Sequence, residues 1–165
     1  RVSGKSVTEL ASERLWRRMG AEQDAYQTVD GKGVPFAGGG LTAGLRDLGR
    51  LGLLMLNEGV INGQRLFPAE VARKIRAGGD PKKFSGYAAI PNGSYTSQWW
   101  VFHNANGAYA ARGVHGQTIY VDPAAEMVIV RFASFPSAGN AAIDPTSLPV
   151  YQAVADHLMK GHAAR

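Results

Sequence analysis

The chain has 165 residues, of which 45% are hydrophobic and 19% charged, a size and balance that suit one folded domain and exclude a disordered chain. The absence of cysteine excludes disulfides, thiolate catalysis and cysteine-ligated zinc, while leaving the compartment open. A formal charge of +5 invites a nucleic-acid reading, but the basic residues are scattered as Arg17-Arg18, Arg73-Lys74-Arg76 and Lys82-Lys83, which fits solvated helix faces rather than a binding stripe.

Ser6-Val7-Thr8-Glu9 has the capping-box pattern, and apolar Val7, Leu10, Leu15 and Met19 then recur at near-helical spacing before Gly20. A first helix over Ser6–Met19 is expected. Asp30-Gly31 and Gly38-Gly39-Gly40 mark residues 20–41 as a loop with short extended pieces. Thr42 is placed to cap a second helix carrying Leu45, Leu48, Leu51, Leu53, Leu54 and Leu56, closed by Gly59. Asn62-Gly63 makes a turn, and Pro68 opens a third helix that runs through Val71 and Ile75 to Gly78.

From Tyr95 to Phe135 the composition turns aromatic and β-branched. Strands are expected near Gln98–His103, Ala108–Ala111, Val114–Val121 and Met127–Ala133, joined by short links into an antiparallel meander. A closing helix is expected over Pro149–Met159, capped by Ser147 and ended by Gly161. The chain therefore reads as one α+β unit, a helical segment over 1–80 followed by a strand meander and closing helix over 95–165. No apolar run approaches the roughly 20 residues of a membrane span, and Arg1-Val2-Ser3-Gly4-Lys5 lacks the features of a signal peptide.

Several local patterns carry little chemistry. Gly4-Lys5-Ser6 lacks the earlier glycine and strand of a phosphate-binding loop, and no Gly-x-Ser-x-Gly elbow is present. His157 and His162 stand without a carboxylate at metal-ligand spacing, so no metal or cofactor is expected. Asn92-Gly93-Ser94 fits a glycosylation sequon but reads as a turn, and His103 beside Asn104 reads as a strand end.

The informative stretch is Ala111-Arg112-Gly113-Val114-His115-Gly116-Gln117, followed by Thr118-Ile119-Tyr120-Val121-Asp122-Pro123. Two glycines in an expected strand have two readings: a backbone bared for close approach by a ligand, or a β-bulge that bends the strand.

These residues, in this order, resemble the serine β-lactamase, penicillin-binding protein and esterase superfamily. Gly39-Gly40-Leu41 with Leu45-Arg46-Asp47-Leu48-Gly49-Arg50-Leu51-Gly52 looks like the helix after its active-site loop. Upstream, Ser12-Glu13-Arg14-Leu15-Trp16-Arg17-Arg18-Met19-Gly20 is similar to its helix-ending stretch. Gly113-Val114-His115-Gly116-Gln117 looks most like the 6-aminohexanoate-dimer hydrolase branch. The resemblance implies a β-lactamase/transpeptidase-like fold, an antiparallel sheet flanked by helices, with the N-terminal portion expected to lie outside this chain.

The family's serine, in a Ser-x-x-Lys motif, attacks an acyl carbon while the Lys and a Tyr-x-Asn tyrosine move protons, and two backbone N–H groups hold the oxyanion. A hydroxyl needs such a base, and each oxyanion donor contributes roughly 3 kcal/mol. Neither motif occurs in these 165 residues. By resemblance the lysine of the third catalytic strand falls on Ala111, which removes the usual anchor for a β-lactam carboxylate and favours an esterase or amidase. The backbone N–H of Val114 is then the oxyanion donor. Arg112, Gly113, His115, Gly116 and Gln117 stand around the substrate, with His115 weighed as a structural hydrogen-bonder ahead of a base. Trp100 is favoured over Trp99 for the pocket, because adjacent strand residues face opposite ways. Phe36, within Val34-Pro35-Phe36-Ala37-Gly38, is the candidate pocket wall.

The expected partners are a small amide or ester substrate and the N-terminal segment of the same protein; alone, the chain is expected to self-associate, aggregate or swap elements through an exposed sheet edge. Neither nucleic acid nor membrane is expected as a partner. The alternative is a non-catalytic β-lactamase-like module that binds a peptide or cell-wall fragment along the same strand edge.

Overall fold

A computed structural model of the chain describes residues 3–36, 38–84 and 87–163, with side chains described as far as Gly161. Ala37 in the candidate pocket-wall loop and the side chain of His162 lie outside the described residues. The order of elements is α1 (Val7–Ala11), a π-helical turn (Ser12–Trp16), β1 (Tyr26–Gln27), β2 (Leu41–Thr42), α2 (Leu45–Leu56), β3 (Val60–Ile61), β4 (Gln64–Arg65) and α3 (Ala69–Ala77). Then come β5 (Ser94–Thr96), β6 (Trp99–Val101), β7 (Tyr109–Arg112), β8 (Thr118–Asp122), β9 (Met127–Arg131) and α4 (Asp144–Ala163).

The capping box forms as its residues predict, with Glu9 N–H donating to Ser6 Oγ and Ser6 N–H to Glu9 Oε2 at 2.7 Å. The helix then widens into the π turn instead of running regularly to Met19, which is fully buried beside Leu54 and Ile61. Thr42 does not cap α2. It pairs with Tyr26 in the β1–β2 ribbon, and Gly44 is the N-cap. The first turn of α2 is used differently: Asp47, 1% exposed, accepts the Glu22 and Gln23 N–H groups at 2.8 and 3.1 Å and ties the preceding loop to the helix. Pro68 and Gly78 bound α3 as expected.

β5 to β9 form one antiparallel sheet in sequence order, so the meander is correct, with β5 as an added edge strand before the expected first one. Alternation along its strands serves two cores. Val101, Tyr109, Ile119 and Val121 pack with Met55 and Ala72 of α2 and α3 on one face. Ala110, Tyr120 and Met127 pack with Tyr151 and Ala155 of α4 on the other. The result is a three-layer sandwich of helices, sheet and helix. The Tyr109 hydroxyl donates to Met55 O at 3.1 Å and links sheet to α2; burial raises its pKa to about 12.

Two expectations about boundaries are corrected. The strand expected over Val114–Val121 begins at Thr118, because Val114–Gly116 forms a 3₁₀ turn. The last helix begins at Asp144, not after Ser147, and contains Pro149; Ser147 lies inside it and its hydroxyl accepts from Arg131 Nη1 at 2.5 Å. Among the described residues no strand pairs with the outer edge of β9, and Leu45 and Leu53 of α2 stay 46% and 44% exposed near that edge.

Candidate functional site

The site is assembled around the connection between β7 and β8. Arg112 pairs with Thr118, so Gly113–Gln117 is a five-residue hairpin loop, neither a strand nor a bulge. Gly116 has φ 93°, and a Cβ there would come within 2.8 Å of Phe135 and 3.0 Å of Ala133, so only glycine fits. His115 also takes a left-handed conformation, φ 57°. Its N–H donates to Ala138 O at 3.1 Å, and its Nδ1–H donates to Phe135 O at 2.7 Å. A carbonyl only accepts, which fixes the proton on Nδ1. The ring is thereby committed to holding the loop against the segment after β9.

Every carbonyl of the loop has a donor. Gly113 O accepts from Asn140 Nδ2, Val114 O from Gln117 N–H, His115 O from Phe135 N–H, Gly116 O from Arg131 Nε and Gln117 O from Gly113 N–H. Four of the five N–H groups have acceptors too: Gly113 on Gln117 O, His115 on Ala138 O, Gly116 on Asn140 Oδ1 and Gln117 on Val114 O. Among the described residues the Val114 N–H alone has none. Val114 is 60% exposed, and the loop that carries it is clamped at its other backbone groups. A rigid, unpaired backbone N–H is what an oxyanion or a carbonyl oxygen would accept.

A cavity of about 320 Å³ lies beside the loop, lined by Arg112, Gly113 and Gln117, by Gly38 and Gly39 from the glycine run, and by Tyr95. Phe36 does not line it; its ring packs on Gly38, 3.0 Å from where a Cβ would stand, and is 61% exposed. Gly116 and His115 face the segment after β9 instead.

Trp99 and Trp100 divide as the strand alternation requires. Trp99 packs edge-on to Tyr109 in the core at 5.3 Å. Trp100 faces the other way into a second cavity of about 430 Å³, formed with Lys83, Phe84, Tyr87, Tyr95 and Arg112. Tyr87 stands edge-on to Trp100 at 4.6 Å and Phe84 at 5.4 Å. Tyr95 and Arg112 border both cavities.

Arg112 is the hub behind them. Its side chain is 4% exposed, its guanidinium lies 5.0 Å from the Trp100 ring centroid, and its Nη2 pairs with Asp144, itself 3% exposed. Nη1 is buried without a partner among the described residues. Ala111 faces the α2 side, so Arg112 points away from it, as a regular strand demands.

The sequence pattern gave no warning of Asn140, Arg131 or Asp144, because all three act on residues 15 to 32 positions away. Phe84 and Tyr87 were legible only as aromatics in a stretch without an assigned element. A Ser–His contact also exists, Ser94 Oγ to His103 Nε2 at 2.7 Å, but Ser94 is fully buried and accepts the Gly79 N–H, which suits a structural tie and not a nucleophile. Among the described residues no group of three or more His, Asp or Glu is placed to hold a metal ion.

No protein-family model matches the chain. It is 40% identical over 139 residues to 6-aminohexanoate-dimer hydrolase of Paenarthrobacter ureafaciens, a match that covers 82% of this chain and 36% of that protein. A solved Bacillus anthracis protein, provisionally named a 6-aminohexanoate-dimer hydrolase, superposes with TM-score 0.85 at 38% identity over 96% of this chain and 40% of its own. A provisionally named β-lactamase from Bacteroides dorei DSM 17855 shares the fold at TM-score 0.57 and 16% identity, over 87% of this chain and 52% of its own. The chain thus spans well under two thirds of the length of each. In sequence and in fold together, it is a segment of the β-lactamase-like fold related to the 6-aminohexanoate-dimer hydrolases.

Proposed function

We propose that the intact protein is a serine hydrolase that cleaves an amide or ester bond through an acyl-enzyme, with linear 6-aminohexanoate oligomers as the leading substrate class. The observation that carries this reading is the Val114 N–H, without an acceptor among the described residues, on a clamped loop whose Gly113 and Gln117 line a cavity, in a relative of proteins named as hydrolases.

In this mechanism a serine of a Ser-x-x-Lys motif, in the upstream part of the protein, attacks the substrate carbonyl carbon. Its proton passes to the neighbouring lysine and tyrosine. The carbonyl oxygen becomes an oxyanion that accepts from Val114 N–H and from a second backbone N–H. Collapse expels the amine or alcohol, which takes the proton, and water then releases the acyl group by the same route in reverse. Trp100 and Tyr95 offer flat apolar walls for an alkyl chain, with Gly113 and Gln117 closer to the reacting carbonyl. Ala111 supplies no cation at the lysine position, and the Arg112 guanidinium is paired with Asp144, so β-lactam turnover is disfavoured. The upstream segment would also cover the β9 edge; without it, the 165-residue chain is expected to self-associate.

The test is fluorophosphonate labelling of the intact protein, followed by assay of the linear 6-aminohexanoate dimer, a p-nitrophenyl ester and a chromogenic cephalosporin. Labelling with turnover of the dimer or the ester, and little of the cephalosporin, is the expected result. A folded, full-length protein that neither labels nor hydrolyses any of them overturns the reading in favour of a binding module.

A further inference from the structure

We infer that Asn140 is a positioning residue for the Val114 N–H, setting the direction and strength of the oxyanion donor from behind; this rests on the hydrolase reading above. Gly113 C=O and Val114 N–H are the two ends of one planar peptide unit and point in opposite directions. Asn140 Nδ2 donates to Gly113 O at 3.0 Å, and Asn140 Oδ1 accepts from Gly116 N–H at 3.0 Å. One carboxamide thus grips two peptides of the loop. The carbonyl needs a donor and the N–H an acceptor, so the orientation of the amide is forced.

Holding the Gly113 carbonyl fixes the plane in which the Val114 N–H points. Gly113 is the residue about which that plane would turn most easily, since it has no side chain to resist rotation. Donation to the carbonyl also polarises the peptide and makes its N–H a stronger donor, as in any chain of hydrogen bonds. Asn140 is fixed in turn. It opens the 3₁₀ turn Asn140–Ala142, its carbonyl accepts from Ile143 N–H at 3.0 Å, and the next residue is Asp144, paired with Arg112 at the base of the same loop. Asn140 lines neither cavity; its effect passes through the peptide.

Asn140→Asp isolates that role. The carboxylate still accepts from Gly116 N–H but sets a second oxygen against Gly113 O, where repulsion replaces the hydrogen bond and the peptide turns. The assay uses the intact protein with a p-nitrophenyl ester and the matching thionoester, active sites being counted by fluorophosphonate titration so that any misfolded fraction drops out. Relative to wild type, N140D is expected to lose roughly tenfold to a hundredfold in kcat, part of the effect of a whole donor. KM should move by about twofold or less, because the donor acts on the transition state. Sulfur accepts hydrogen bonds poorly, so the preference of the wild type for ester over thionoester should shrink in the variant. Asn140→Ser, which removes both contacts without adding charge, should behave in the same way and serves if N140D does not fold. A labelled wild type whose N140D and N140S variants keep full kcat and the same ester preference overturns this inference alone. A wild type that does not label at all overturns the hydrolase reading and this inference with it.

Discussion

Asp144→Ala should be among the most damaging single changes at the site, although Asp144 lines neither of the two cavities beside the Gly113–Gln117 loop. Both members of the Arg112–Asp144 pair are almost fully out of water, at 4% and 3% exposure. Removing one partner from such a pair leaves the other charge buried and uncompensated, at a cost of about 3–5 kcal/mol. Arg112 is poorly placed to recover, since its Nη1 has no partner to begin with and its guanidinium is held over Trp100. The reverse change, Arg112→Met, should cost less, about 2–3 kcal/mol. Asp144 lies in the first turn of α4, where helix N–H groups favour a carboxylate, and it can also take up a proton. The double variant Arg112→Met/Asp144→Leu should be more stable than Asp144→Ala, because no unpaired charge remains. The assay is urea unfolding of the intact protein followed by tryptophan fluorescence, with the slope checked for a constant denatured state. A loss below about 1 kcal/mol for Asp144→Ala, or a double variant no more stable than Asp144→Ala, would refute the argument.

Two further outcomes follow from the packing. Gly49 and Gly52 both lie inside α2, where helix propensity alone favours alanine by about 1 kcal/mol. Gly49 has open space, so Gly49→Ala should raise the urea midpoint; a Cβ on Gly52 would come within 2.4 Å of Val128, so Gly52→Ala should lower it despite the same propensity gain. Tyr109 predicts alkaline behaviour: burial raises its pKa to about 12 from 10.0, so the unfolded state loses its proton first. Its contribution is then full below pH 10 and falls by roughly 2 kcal/mol as pH rises from 10 to 12, so when unfolding is measured against pH the alkaline loss of stability should be smaller by that much in Tyr109→Phe without vanishing, because burial also raises Tyr120 and Tyr151.

What the sequence made legible was local. The Ser6–Glu9 box, the leucine stripe of α2 and the Pro68–Gly78 boundaries depend on residues within a turn or two of each other, and the structure has them. The division of Trp99 from Trp100 follows from strand alternation. The Gly113–Gln117 loop was misread because Thr118-Ile119-Tyr120-Val121 continues the strand pattern without a break, while the groups that bend the chain, Asn140, Arg131 and Phe135, lie far along it. The start of α4 was misplaced for a related reason. Pro145 and Pro149 look like barriers to a helix, but Leu148, Tyr151 and Leu158 pack on the sheet and outweigh the missing backbone bond. The Thr42 hydroxyl suits a helix cap, but ribbon pairing to Tyr26 has the prior claim on its backbone.

The clamp on the Gly113–Gln117 loop has a consequence in time. Its fasteners, from Phe135 to Asp144, follow the loop in the chain and so leave the ribosome after it. The β7–β8 hairpin can pair as soon as both strands emerge, but its tip stays free to sample other shapes until the C-terminal helix docks. This piece of backbone is thus finished only once Asn140 and the start of the last helix have emerged, and a nascent chain stalled before Asn140 would carry the sheet without the clamp on its loop.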